Sequence, residues 1–529
     1  MPTDCISYQS SGYFTPIMND YLEQKSSLQP LYNRFPSLGN FGAQITEKQN
    51  NFNNDFRKTL VEVLHRQYQS LQVSGLTNAN IEALKNPNTF TVTTGHQLNL
   101  FTGPLYFLYK IISAVNLAKE LKAKYPYCDF VPVYWMATED HDFEEINYFN
   151  FKGKKFRWNR ESTGPVGRLS TKGLEEVFEV FAHETGSGNN AAFIRNLFEK
   201  TYLTHENLAD ATRYLANELF GKQGLVIIDA DEAELKREFI PYIKQELLQQ
   251  TAFKNVTETI EQLKDYDVQV NPREINLFYI GENLRERIVQ MDGKYQVNNT
   301  SIQFSESEIL AELESHPENF SPNVILRPLY QEVILPNLCY IGGGGELAYW
   351  LELKSLFDAV KVPFPMLLLR NSVLLATQKQ AQKADKLGVS WQDLFAKQAD
   401  LKNLKIKSLS EFPIDLTPQK ETLQKQFADL HVIAEQTDKS FSGAVKAQET
   451  KQIKGLENLE KRLLKAQKRK HADELERITD LQNELFPNKS LQERQANFAE
   501  FYIESGQSLI DKLSAELHPL ANDFNILVL

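Results

Sequence analysis

The sequence predicts an α/β fold with an open parallel sheet at its core, two insertions within that core and a helical coiled coil towards the C-terminus. Three observations carry this. Between Thr89 and Asn147 a β-rich run, an apolar helix and a second β-rich run follow one another. A strand, a helix and a strand at this spacing make a βαβ unit with parallel strands and a right-handed connection. Two more short apolar runs, GLVIID at residues 224–229 and PMLLL at residues 365–369, supply a third and a fourth strand. From about residue 380 the composition shifts to Lys, Glu and Gln, with Leu423, Phe427 and Leu430, then Ile453, Leu456, Leu459 and Leu463, at three- and four-residue steps.

Residues 1–88 read as the helical N-terminal part of the core, with Leu60, Val63, Leu64, Tyr68 and Leu71 at helical spacing. Residues 90–94 are a buried strand and residues 95–103 a loop. Pro104 suits the first position of a helix, capped by Gly103 or Thr102. Leu105, Leu108, Ile112 and Val115 continue that helix, and Lys119 and Lys122 complement its dipole. Residues 130–137 form the next strand. The core extends over residues 89–380, with insertions near 150–220 and 245–320 that carry short strands of their own (KKFRW, NLFYI, YQVNN). In residues 381–500, the stretch from Lys454 to Leu485 holds no proline and no glycine after Gly455, so a long helix needing a partner helix is expected. The basic run at 461–470 reads as its solvated face. Residues 501–529 return to the core, ending in NDFNILVL as an edge strand.

A chain of 529 residues exceeds what one hydrophobic core supports, so about two to four domains are expected. The net charge of −11 argues against general affinity for nucleic acid or an anionic membrane. Cys5, Cys128 and Cys339 stand far apart with no CxxC pair, which points away from a disulfide framework or zinc site and towards a reducing cytoplasm. The first fourteen residues lack the basic flank and apolar core of a signal peptide. Lys110 and Lys119 interrupt the most apolar helix well short of a membrane span.

Loops at the carboxyl ends of neighbouring strands in such a sheet face one crevice, so TGHQLNLFTGPLY and TEDHDFEEIN mark a single site and a small-molecule enzyme. In the first loop, Gly95 permits a sharp turn, and the helix that follows offers backbone N–H groups to a phosphate or carboxylate. His96 can donate to a phosphate oxygen and Gln97 and Asn99 can fix ribose or amide groups. With Thr102 and Gly103 they make the nucleotide-binding set. The alternative is a loop stabilised by its own polar residues, and the spacing is neither a Walker A nor a dinucleotide fingerprint. In the second loop, an extended segment would turn Asp140 and Asp142 one way and Glu139 and His141 the other. Asp140 and His141 are the catalytic candidates, His141 as general base. Glu139 and Asp142 are candidates to bind an ammonium group, a sugar hydroxyl or a magnesium ion bridging phosphates. The alternative is a solvated turn. No second His stands at ligand spacing, so no tightly bound metal is expected.

The third cluster runs from Arg327 to Val360 and contains four glycines, residues 342–345, that let backbone approach a ligand. Glu346 in the first turn of the next helix would compete with an anion there. Gly343, Gly344 and Glu346 therefore read as a loop for an amine or hydroxyl ligand, or else as a flexible connector. Arg327 and Arg370 are counter-charges for a carboxylate or phosphate, or members of structural salt bridges.

Three segments, TGHQLNLFTGPLYFLYKIISA, PVYWMATEDHDFEEIN and PNLCYIGGGGELAYWLELK followed by PFPMLLLRNS, stand in the order and spacing of one family. Together they resemble the BshC family, the cysteine-adding enzymes of bacillithiol biosynthesis, over nearly the whole chain. The resemblance implies a Rossmann-like core of nucleotidyl-transferase type, two connecting-peptide insertions and a coiled coil that mediates homodimers. It also implies a ligase adding L-cysteine to the sugar amine of glucosaminyl-malate as the last step of bacillithiol formation. Making that amide from a free carboxylate requires activation, most simply by ATP (leaving open a bound ADP and a Mg2+ on the phosphates), through an acyl-adenylate or an acyl-phosphate. Family members often read TGQQ where this chain has TGHQ, which makes His96 a binder more than an indispensable group. The HxGH and KMSKS signatures of synthetases sharing the broader fold are absent, so the adenylate route does not carry over from them. Two rival classes remain: a nucleotidyl transferase or synthetase-like enzyme acting on another small acid, and a non-catalytic coiled-coil scaffold.

Overall fold

Five strands form the central sheet of the computed structural model, which describes residues 3–529. They are β1 (Thr89–His96), β2 (Asp129–Met136), β3 (Val226–Asp229), β4 (Asn337–Gly342) and β5 (Met366–Leu369), all parallel, in the spatial order β5-β4-β1-β2-β3. The chain adds strands outward on one side of β1, then returns to add β4 and β5 on the other. The crevice at the carboxyl ends of β1 and β4 is therefore the topological switch point, where open α/β sheets bind ligands.

β1 is buried along its whole length although half its residues are threonine. Three of the four hydroxyls are satisfied across the sheet: Thr91 and Thr93 donate to Asn337 Oδ1 at 3.2 and 2.8 Å, and Thr94 donates to the Ile341 carbonyl at 2.8 Å, while the buried Thr89 hydroxyl has no partner. β4, unforeseen in the sequence, is thus central. Its six residues lie between Pro336 and a run of glycines and begin with a polar Asn337, so no periodicity announces it. Helix α1 (Tyr106–Lys124) crosses from β1 to β2 and is buried on nearly every face. It starts at Tyr106 and not at Pro104, because residues 101–103 make a separate turn with positive φ at Phe101, Thr102 and Gly103.

The first insertion adds the hairpin Tyr148–Phe151/Lys154–Arg157 and three helices, packed through Phe149, Phe181 and Phe198 around Phe101 at ring distances of 5.2–5.6 Å. The second is a five-stranded antiparallel sheet that includes Leu277–Gly281, Leu284–Met291 and Phe320–Pro322. The C-terminal strand Asp523–Val528 returns to the body as expected, but in the middle of a three-stranded sheet and not at an edge. It pairs antiparallel with Asp4–Ser7 and parallel with Ser372–Ala376.

Helix α2 (Gly344–Leu351) follows β4. Further on, α3 (Thr417–Glu435) and α4 (Lys439–Lys470) form an antiparallel hairpin with Leu423, Phe427, Ala434 and Val445 in its seam. The partner that the long polar helix requires is thus supplied by the same chain. The helix kinks at His471, where helical hydrogen bonds continue, and α5 (Ala472–Leu485) buries Ile478, Leu481 and Leu485 in the main core. Among the described residues no helix is long and apolar enough to cross a membrane.

Candidate active site

At the end of β1 a buried cation meets a carboxylate. Lys110 Nζ donates to the Gly95 carbonyl at 2.6 Å and pairs with Glu346 Oε1 at 2.5 Å. Tyr340, from β4, donates to Glu346 Oε2 at 2.7 Å, and the Gly343 N–H donates to Oε1 at 3.3 Å. Burial alone would raise the Glu346 carboxyl, but Lys110 and these donors hold it below its ordinary value. Glu346 therefore ties α1, β4 and the start of α2 together. Gly95 permits this arrangement, since a β-carbon there would lie 3.0 Å from the Tyr340 hydroxyl.

The acidic loop after β2 does not stay extended. The Asp140 N–H donates back to the Ala137 carbonyl, and this turn overrides the two-face alternation expected of a strand. Glu139, Asp140 and His141 consequently line the same cleft. Glu139 pairs with Lys236 at 2.6 Å, and Lys236 also reaches Asp231 at 3.2 Å. Asp140 accepts from Gln97 Nε2 and from the His141 N–H, with the Arg285 guanidinium 3.9 Å away. Burial would raise its carboxyl, yet His141, Arg285 and Gln97 hold it well below the carboxylate range. Arg285 Nη1 donates to His141 Nδ1 at 2.6 Å. Because arginine only donates, Nδ1 is the acceptor in this contact. Asp142 turns away from the cleft: its Oδ1 accepts from the Glu145 N–H and caps residues 143–146.

Two clefts meet here. The larger, about 580 Å³, lies between the core strands and the inserted sheet, and the smaller, about 400 Å³, lies beside residues 343–346. They share Tyr106, Glu145 and Glu346 as a common wall. His96 lines the larger cleft with its ring between Tyr106 and Phe107. Burial, then the Lys110 charge, push it well below its ordinary value, so it is a neutral imidazole, and its Nε2 has no hydrogen-bond partner. Arg327 Nη2 is likewise buried and unpartnered in that cleft, while Nη1 donates to Gln331. Among the described residues no group of three or more His, Cys, Asp or Glu is placed to hold a metal ion.

The matches to family models decide the assignment. Residues 1–371 match "Bacillithiol biosynthesis BshC, N-terminal Rossmann-like domain", and residues 373–529 match "Bacillithiol biosynthesis BshC, C-terminal coiled-coil domain". The chain belongs to the BshC family. Among its relatives, "Putative cysteine ligase BshC" of Flavobacterium johnsoniae is 68% identical over the full length of both chains. That of Flavobacterium psychrophilum is 63% identical over 100% of this chain and 99% of its own. That of Bacillus cytotoxicus is 29% identical over 94% of this chain and 95% of its own.

In this BshC chain the expected nucleotide-binding residues divide between the clefts. His96 and Gln97 line the larger one, and Asn99 and Gly103 line the smaller one with Gly343 and Gly344. Thr102 lines neither: it is buried at φ +68°, and its backbone bonds the His96 ring, so it positions that ring. The start of α1 is not free for an anion either. The Leu105 N–H donates to the Ala496 carbonyl at 2.9 Å, and Asn497 Nδ2 donates to the carbonyls of Phe101 and Gly103 at 2.8 and 2.6 Å. Across the boundary between the two BshC domains, Arg370 of the smaller cleft donates to Glu493 at 2.8 Å. Sequence reasoning missed Lys110, Glu145, Arg285 and Tyr340. Lys110 alone left a signal, as a lone charge in a helix apolar on every side.

Proposed function

We propose that the chain is a cytoplasmic ligase that joins the carboxyl group of L-cysteine to the sugar amine of glucosaminyl-malate, completing bacillithiol. The observation that carries this reading is the composition of the larger cleft. It pairs an acid held ionised, Asp140, with the guanidinium groups of Arg285 and Arg327 and the buried Lys110. Both substrates carry an amine and at least one carboxylate, and this cleft offers a partner to each. A carboxylate held as low as Asp140 is a poor proton acceptor, so its part is to anchor an ammonium group. His141 takes the proton from the attacking nitrogen. Glu139 is committed to Lys236 and shapes the loop.

Activation of the cysteine carboxylate comes from ATP, which supplies a leaving group when bound. The smaller cleft suits a nucleotide's phosphates because Glu346, which alone would compete with an anion there, is paired with Lys110. Asn99, Gly103 and Gly343–Glu346 border it, Arg494 is exposed at its edge, and Arg370 holds a buried Nε without a partner. The shared wall would put the two substrates next to each other. Self-association through the helical hairpin belongs to the same proposal. Leu430, Val432, Ile433 and Phe441 lie exposed at its tip, an apolar patch suited to a second copy.

Incubating the purified chain with L-cysteine, glucosaminyl-malate and ATP, then following the amide by mass spectrometry, tests the reading. Product that requires all three is expected. A strain lacking the gene that still makes bacillithiol at the normal level would remove the proposal. ATP consumption with a different small acid would favour a synthetase-like enzyme instead.

A further inference from the structure

The second insertion brings three guanidinium groups to the larger cleft, Arg273 from the loop before its sheet and Arg285 and Arg287 from the strand Leu284–Met291. Among the described residues no acid pairs with Arg273 or Arg287, and both side chains are exposed. Two unpaired cations in the lining of a cleft make it able to accept an anion. Arg285 differs from them. Its side chain is only 7% exposed, it lies 4.0 Å over the Phe278 ring, and its Nη1 is spent on His141 Nδ1 at 2.6 Å. The other groups around His141 are Asp140, with Oδ1 3.5 Å from Nδ1, Asp142 next in the chain, and Glu139, which is engaged by Lys236.

A lone pair that receives a hydrogen bond takes a proton only once that donor withdraws. As described, His141 is therefore switched off by Arg285. We propose that Arg273, Arg285 and Arg287 form a subsite for the carboxylates of the amine-bearing substrate, and that Arg285 is its switch. A carboxylate bound there draws the guanidinium from His141 and frees Nδ1. This rests on the ligase reading given above. In the step it serves, the nitrogen lone pair forms the C–N bond to the nucleotide-activated carbonyl. The leaving group departs with the C–O bonding pair, and the proton on nitrogen passes to Nδ1, giving an imidazolium beside Asp140. The arrangement keeps the base idle until its own substrate is seated. An activated cysteine intermediate is then spent on the amine and not on water. Arg285 is a positioning residue here, and a charge-assisted bidentate pair is the interaction that competes for it.

The test reads the switch directly, without turnover. The Nδ1 and Nε2 signals of His141 are followed by nitrogen NMR in the full chain while L-malate is added, with calorimetry on the same samples. Malate should move the Nδ1 signal in the wild type. Arg285→Gln should show the moved signal before malate is added and no further response. The double variant Arg273→Gln/Arg287→Gln, altered only at exposed positions, should leave the malate-free signal in place and weaken malate binding by about tenfold or more, at least the loss of one charge-assisted contact. Malate binding with Nδ1 unmoved, an Arg285→Gln signal like that of the wild type, or unchanged affinity in the double variant would each overturn the proposal. In turnover assays Arg285→Gln should raise KM for glucosaminyl-malate about tenfold and keep kcat within about twofold, whereas a purely structural role would lower kcat. No amide in the wild type together with an intact malate response would reject the ligase reading and leave the switch standing.

Discussion

Buried carboxylates are governed by the donors around them, and Glu346 and Glu352 fall on opposite sides of that competition. Glu346 has a lysine, a tyrosine and a backbone N–H, which overcome burial. Glu352 has only the N–H groups of Gln269 and Val270, at 2.7 and 3.2 Å, and burial pushes it up to about 7. Two predictions follow from this contrast. Lys110→Met leaves Glu346 without its cation and should destabilise the protein by about 3 kcal/mol in urea melts, near the lower end for a broken buried pair because Glu346 is partly open to the cleft. For Glu352 the native state binds the proton more tightly than the unfolded chain does. Its contribution to stability is therefore full below the unfolded value of 4.5 and is lost as pH rises towards about 7. Glu352→Gln should flatten the stability profile across that window, removing a slope of up to about 1.4 kcal/mol per pH unit. Urea midpoints measured from pH 4 to 8 would show it, and parallel profiles for the two proteins would refute it. At Asp140 the expectation concerns activity: Asp140→Asn keeps the shape but removes the proposed ammonium anchor, and kcat/KM should fall by about a hundredfold or more, the scale of a lost charge-assisted contact in a site.

Elements show how far the sequence could be read. β1, β2, β3 and β5 were legible because an apolar or β-branched run between turn residues has few other uses. β4 was not, because its neighbours are Pro336 and glycines and its polar Asn337 bonds threonines that lie far away in sequence. The acidic loop was legible as a site but not in its geometry. Which way Glu139 faces is decided by Lys236, almost a hundred residues later. Arg285 sat unremarked on an inserted strand for the same reason. The loop at 101–103 offers a prediction at this scale. Asn497→Ala removes both donors that pin it and should cost about 1–3 kcal/mol, the penalty for leaving buried acceptors unpaired. Faster amide hydrogen exchange confined to residues 99–106 would be the local sign. Gly103→Val is a poor probe of the same loop. Its β-carbon would fall 2.6 Å from that of Asn99 at a φ of +61°, so lost nucleotide binding would report only strain.

For the whole molecule, the helical region divides into a removable part and a fixed part. The tip of the α3/α4 hairpin has its own small apolar seam, whereas α5 contributes Ile478, Leu481 and Leu485 to the main core. Replacing residues 424–448 with a short linker should leave the fold and both clefts intact and abolish self-association, as read by sedimentation. Val432→Glu/Ile433→Lys at the exposed tip should do the same with less surgery. A scaffold would lose its purpose in either variant, and a ligase would keep making amide. A deletion reaching into 475–490 should instead unfold the protein.

The pins on the site come late in the chain. Ala496 and Asn497 fix the loop before α1, Glu493 holds Arg370, and Asp523–Val528 closes the sheet begun by Asp4–Ser7. During synthesis, then, the sheet and its acidic loop emerge well before the residues that set the smaller cleft. Nascent or prematurely terminated chains will carry the acids and arginines of the site without its finished shape. The smaller cleft therefore takes its finished shape only once residues 493–528 have been made and have docked on the sheet.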